Sequence, residues 1–140
     1  MKNLLLLLSL NVLVIAVSHG QVTGSWNVVD DDDGIVKSIV EIYEVNNQYY
    51  GRIVKLLETS KRTHCEKCYG ELKGKPLTGM IIMWDLDKTS NGGKNGKVLD
   101  PSSGKIFSCS IELAGPDKLK LRGYLGVPSV GKTSYWSRSK

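Results

Sequence analysis

From residue 22 onward, apolar and polar residues alternate in short runs, and nowhere does a helical spacing persist for three turns. Successive side chains of a strand point to opposite faces, so alternation with a period of two marks a strand with one buried side. Runs at 22–29, 36–45, 48–57, 77–84, 96–100, 105–113, 118–125 and 132–138 are predicted to be strands. Between them stand DDDDG at 30–34, VNNQ at 45–48, SNGGKNG at 90–96, PSSG at 101–104 and AGPD at 114–117, residues that tolerate tight or left-handed backbone. Eight short strands with hairpin-length links can close on themselves, which removes exposed edges and leaves room for side chains or one small ligand. The chain is therefore predicted to be all-β, a small antiparallel up-and-down barrel of about eight strands.

The inside of that barrel is clearest in two strands. Phe107, Cys109, Ile111 and Leu113 alternate with Ser108, Ser110 and Glu112, and Leu119, Leu121, Gly123 and Leu125 alternate with lysines, Arg122 and Tyr124. The first set of each is expected to face inward. The earlier strands fit either phase: Val40 and Ile42 compete with Ile39 and Tyr43, and Tyr49 competes with Tyr50. Glu41 shares that ambiguity, and an inward carboxylate would be a functional candidate where an outward one is a surface charge. One long connection, from Glu58 to Pro76, is rich in Lys and Gly; loops of such length are commonly functional or mobile.

The first twenty residues belong to a different class. Lys2, an apolar run from Leu4 to Val17 and a small-x-small ending at Gly20 form the pattern of a signal peptide, so residues 1–20 are expected to be removed and 21–140 to form one domain. The apolar run is shorter than the roughly 20 residues that span a bilayer, so no membrane span is expected after its removal. The protein is thus expected to be periplasmic or secreted. Taking Lys2 from the 19 basic residues leaves 18 against 14 acidic ones, a dispersed excess of about +4. Without a basic stripe interleaved with aromatics, nucleic acid is not an expected partner.

Candidate chemistry centres on HCEKC at 64–68. A redox pair needs a thiol acidified by a following helix, and YGELKGKP after Cys68 is loop. A structural zinc site needs four ligands, and His64 with Cys65 and Cys68 supplies three. In an oxidising compartment Cys65 and Cys68 are expected to form a disulfide, with metal and redox use as the alternatives. Cys109, inward by phase, reads as a small buried hydrophobe, with a cross-barrel pairing to a loop cysteine as its alternative. Asp30 to Asp33 followed by Gly34 fails as a calcium loop, because Val29 and Val40 fall where oxygen ligands are required. No nucleophile elbow or phosphate-cradling loop is present, so neither catalysis nor a cofactor is expected.

Four blocks together, GSW at 24–26, YYGRIVKL at 49–56, LDPSSGKIFSC at 99–109 and LRGYLGVPSVGKTSYWSR at 121–138, resemble the exported bacterial DUF2147 family. The resemblance implies an exported antiparallel barrel of lipocalin or calycin type and brings no catalytic residues. A further likeness to lipocalins, the G-x-W of the first strand and an Arg near the last, implies that Trp26 and Arg138 meet and close the barrel floor by cation–π stacking.

The leading functional expectation is a non-catalytic barrel that binds a small apolar or amphiphilic ligand inside. Tyr50, Phe107, Ile111, Leu119 and Leu121 are the candidate wall, and Arg52 is the candidate polar anchor near the mouth. A structural module with a filled barrel, docking to an envelope protein partner through residues 60–75, is the alternative, followed by a metal or redox protein using Cys65 and Cys68. Cavity volume separates the first two, since ligand pockets start at roughly 300 Å³.

Overall fold

The computed structural model describes residue 13 and residues 20–140. The expected signal segment, residues 1–20, therefore lies outside the described residues but for Leu13 and Gly20. Eight strands follow one another: β1 (Gly24–Val29), β2 (Val36–Val45), β3 (Gln48–Leu56), β4 (Ile81–Lys88), β5 (Gly92–Asp100), β6 (Lys105–Leu113), β7 (Lys118–Tyr124) and β8 (Gly131–Arg138). Each pairs antiparallel with the next, and β8 returns to β1, so the sheet closes as an eight-stranded barrel. A single 3₁₀ turn, Gly70–Leu72, interrupts the long connection. Among the described residues no helix is long and apolar enough to cross a membrane.

The turns make the pairing register definite. Between β2 and β3, Asn46 and Asn47 both take left-handed backbone (φ 52° and 64°), the conformation a two-residue hairpin requires and asparagine tolerates. Val45 then pairs with Gln48 and Tyr43 with Tyr50. This settles the ambiguous phases: Val40, Ile42 and Tyr49 are buried inside, while Tyr43 and Tyr50 stack on the outer face at 5.8 Å. Glu41 is outside as well, paired with Arg52 at 2.8 Å.

The fourth and fifth strands depart most from expectation, the fourth also running on to Lys88 where it was expected to end at 84. The fourth strand begins at Ile81 and not at 77, because Leu77, Gly79 and Met80 form a turn in which the Met80 amide donates to Leu77 O. The fifth begins at Gly92, inside the SNGGKNG segment expected to be a turn. A Cβ on Gly96 would collide with the Leu86 side chain, so here glycine admits a bulky neighbour into the barrel within a strand.

One end of the barrel is packed solid. Trp26, Ile42, Met83, Leu86 and Leu119 are fully buried there. The segment before β1 folds under them: Val22 is buried and its carbonyl accepts the Trp26 indole N–H at 2.8 Å. Arg138 lies 4.3 Å from the centre of the Trp26 ring, and its guanidinium donates to the carbonyls of Gln21, Thr23 and Pro116. Such stacking contributes roughly 0.5–2 kcal/mol, and the three carbonyl contacts tie the segment before β1 and the β6–β7 turn to β8. Replacement Trp26→Ala is expected to cost about 3–5 kcal/mol in denaturant unfolding, and a loss below about 1 kcal/mol would show that the indole does not hold the floor.

Candidate functional site

The other end is open. There the tips of the β1–β2 loop (30–35), the β3–β4 connection (57–80), the β5–β6 turn (101–104) and the β7–β8 loop (125–130) surround a cavity of about 1020 Å³. Its wall is mainly apolar, with Ile53, Leu77, Ile82, Leu99, Phe107 and Leu121 among the contributors. Trp136, whose register partner Leu119 already belongs to the packed half, stands at the base. The asymmetry follows from side-chain size: the packed half holds Trp, Tyr, Met and Leu, whereas Ser38 and Gly123 occupy inward positions in the open half.

The long connection is an ordered part of the mouth. His64 bridges to Pro76, the Leu77 amide donates to Thr63 O, and the Cys65 amide donates to Lys75 O, so the segment is pinched shut at its base. Cys65 and Cys68 form a disulfide across Cα atoms 5.4 Å apart, and both are buried. Gly104 fits directly against the Lys67 carbonyl with a left-handed backbone (φ 73°), a contact that any Cβ would block. The β5–β6 turn is thereby seated on the disulfide ring, and Leu77 is pressed into the wall.

Charge gathers at the rim. Asp30, Asp31, Asp32 and Asp33 line it from the β1–β2 loop, and Lys61 and Arg62 line it from the connection. The loop is a turn held by its own carboxylates: Asp30 accepts the Asp32 amide and Asp33 accepts the Ile35 amide, each at 2.8 Å. Lys37 donates to Asp33 at 2.8 Å and holds that carboxyl below the usual range. Asp31 accepts from Ser134 and pairs with Lys132 at 3.3 Å.

The expected site residues separate into three groups. Phe107 and Leu121 line the cavity. Ile111 and Leu119 face inward but are buried in the core outside the cavity lining. Tyr50 and Arg52, expected as wall and polar anchor, lie on the outer face, and this is a correction. The Tyr50 hydroxyl donates to Asp85, and Arg52 pairs with Glu41 and lies 5.4 Å from the Tyr43 ring. Leu125, expected inward, is 57% exposed at the mouth. Ser38, Lys61 and Arg62 had no signal in the chain beyond belonging to a strand and to a lysine-rich loop.

Residues 24–138 match the family described as "Uncharacterized protein conserved in bacteria (DUF2147)". The chain belongs to the DUF2147 family. Its fold is similar to that of protein HP1028 from Helicobacter pylori, described as belonging to the lipocalin family, with a TM-score of 0.76 and 20% identity over 87% of this chain and 85% of that one. No functionally curated protein matches the chain significantly.

Cys109 is fully buried in this DUF2147 barrel and is not bonded to another cysteine. Burial pushes its thiol up to about 12, against which the charge of Lys97 acts only weakly. A thiol reagent at pH 8 is expected to label no cysteine in the folded protein and one after denaturation. Two labelled thiols in the folded, unreduced protein would mean that the Cys65–Cys68 bridge is absent in solution. The sign of the shift has a second consequence. Burial raises the folded pKa above that of the unfolded thiol, so the contribution of Cys109 to stability is complete below the unfolded value. It declines as pH rises toward 12.

Proposed function

We propose that this protein is an exported, non-catalytic barrel that takes a small apolar or amphiphilic molecule into its open end. The observation that carries this reading is the cavity of about 1020 Å³, set against the packed opposite end. That volume is at the top of the roughly 300–1,000 Å³ usual for small-molecule pockets and well above the gaps of a filled core. An apolar wall with a charged rim suits a ligand whose hydrocarbon part leaves water while its polar part stays at the mouth. The likeness to a lipocalin-family barrel is consistent with this use, and the N-terminal pattern of charge, apolar run and small residues supports export to the periplasm or beyond. The volume also weighs against the rival reading of a filled barrel that serves only to dock an envelope protein.

Native mass spectrometry of the protein purified from its own cell envelope, followed by the denatured mass of the same sample, tests the reading. Excess native mass lost on denaturation and matching an organic molecule is the expected result; a bare polypeptide that also takes up no amphiphile in solution would overturn it. A second test uses Gly123, which faces the cavity and whose added Cβ would meet only Phe107, at 4.0 Å. Gly123→Phe is expected to fill the space and reduce ligand uptake about tenfold or more while leaving thermal unfolding within a few degrees of the parent.

A further inference from the structure

The charged rim and one buried hydroxyl together narrow the chemistry of the ligand. Ser38 is only 9% exposed, lines the cavity from β2, and makes no side-chain hydrogen bond among the described residues. No fully enclosed side-chain oxygen or nitrogen is left without a partner there, so the Ser38 hydroxyl touches the free space of the cavity. An unspent donor and acceptor in a mainly apolar wall favours a ligand with a polar group just below the mouth.

At the rim itself several charges are already engaged. Asp33 is paired with Lys37, Asp31 with Lys132, and Asp100 accepts from Ser102 and Ser103. The other rim charges lie on two loops, with Lys61 near enough to act on Asp33. Asp30 and Asp32 stand on the β1–β2 loop, and Lys61 and Arg62 stand on the β3–β4 connection; none of the four has an ion-pair partner among the described residues. The two loops adjoin, since Lys37 also donates to Thr59 O and the Thr59 hydroxyl donates to Val36 O. Two carboxylates and two cations without ion pairs thus border one opening, Asp30 keeping one oxygen on the Asp32 amide.

We infer that the cavity takes a single-chain amphiphile with a zwitterionic phosphate-and-ammonium head group. The chain lies against Ile82, Leu99, Phe107 and Leu121. The phosphate meets Lys61 and Arg62, the ammonium meets Asp30 and Asp32, and an oxygen near the head reaches Ser38. Arginine suits a phosphate because its planar fork presents two parallel N–H donors. A purely anionic head would bring its charge beside Asp30 and Asp32, and a purely cationic one would bring its charge beside Lys61 and Arg62. The rim therefore discriminates by repulsion as well as attraction. This inference rests on the ligand-binding reading given above.

Four probes with one chain and different heads test it: dodecylphosphocholine, dodecyl phosphate, dodecyltrimethylammonium and dodecyl maltoside, each titrated below its micelle concentration by calorimetry. Dodecylphosphocholine is expected to bind about tenfold more tightly than the maltoside. The double variant Lys61→Ala/Arg62→Ala is expected to remove that advantage, and Asp30→Asn/Asp32→Asn to reduce it while strengthening dodecyl phosphate. Both are expected to leave maltoside binding within about twofold of the parent, because the chain still occupies the same wall. Equal affinity for all four probes, or tightest binding by a singly charged one, would overturn the head-group assignment and leave the cavity reading standing. Failure of every probe to bind, the maltoside included, would overturn the cavity reading and the head-group assignment with it.

Discussion

A closed sheet depends on its seam, and here the seam is short. Register pairing between β1 and β8 is confined to Trp26 with Arg138 and Asn27 with Ser137, backed by the Ser139 amide on Ser25 O. A ladder this brief satisfies few backbone groups, so side chains carry much of the closure. Arg138 does so by reaching beneath the floor to three carbonyls while its guanidinium covers the Trp26 ring. The same contacts draw the segment before β1 under the barrel, where Val22 completes the core. Closing the seam and plugging the end are one event.

That event determines where a cavity can exist. With Trp26, Met83, Leu86 and Leu119 filling the lower half, the eight strands enclose more space than the smaller inward residues above can occupy. The space would be of little use if the loops around it were slack. The β3–β4 connection is instead folded back on itself, stapled by Cys65–Cys68 and pressed against the β5–β6 turn at Gly104. A ring closed by so few residues removes little entropy from the unfolded chain, so the consequence of this disulfide is local: it shapes the surface on which the turn rests. Lys61, Arg62 and Leu77 enter the mouth from the braced segment.

The two faces of the barrel wall have separate roles. Outside, cross-strand pairs such as Tyr43–Tyr50, Glu41–Arg52 and Lys118 over Tyr135 cover the sheet, and exposed pairs of this kind contribute modestly to stability. Inside, shape and the few polar groups define the wall of the cavity. Cys109 belongs to the inner face as packing only, since burial keeps its thiol neutral. The charged groups that border the open space therefore lie at the mouth.

The chain alone determined the all-β class, the number of strands and the antiparallel order, and its likeness to lipocalins supplied the meeting of Trp26 with Arg138. Alternation and turn residues are local signals, and in β6 and β7 they also placed Phe107, Cys109, Ile111, Leu119 and Leu121 inside. Where local signals were balanced, the register of distant pairs decided. Tyr49 and Tyr50 satisfy alternation equally well, and only the asparagine turn with its pairing to β2 sends Tyr49 inward and leaves Tyr50 and Arg52 on the surface. SNGGKNG has the composition of a turn, yet its pairing with β4 makes Gly96 part of a strand, where the missing side chain leaves room for Leu86 of the neighbouring strand. Depth was equally invisible. Phe107 and Ile111 share a strand face, but Phe107 borders the cavity while Ile111 is buried in the core, because height along a barrel depends on strand tilt and on what plugs the other end. The gathering of Ser38, Lys61, Arg62 and the aspartates at one mouth is tertiary as well, since residues far apart in the chain become neighbours only when the sheet closes.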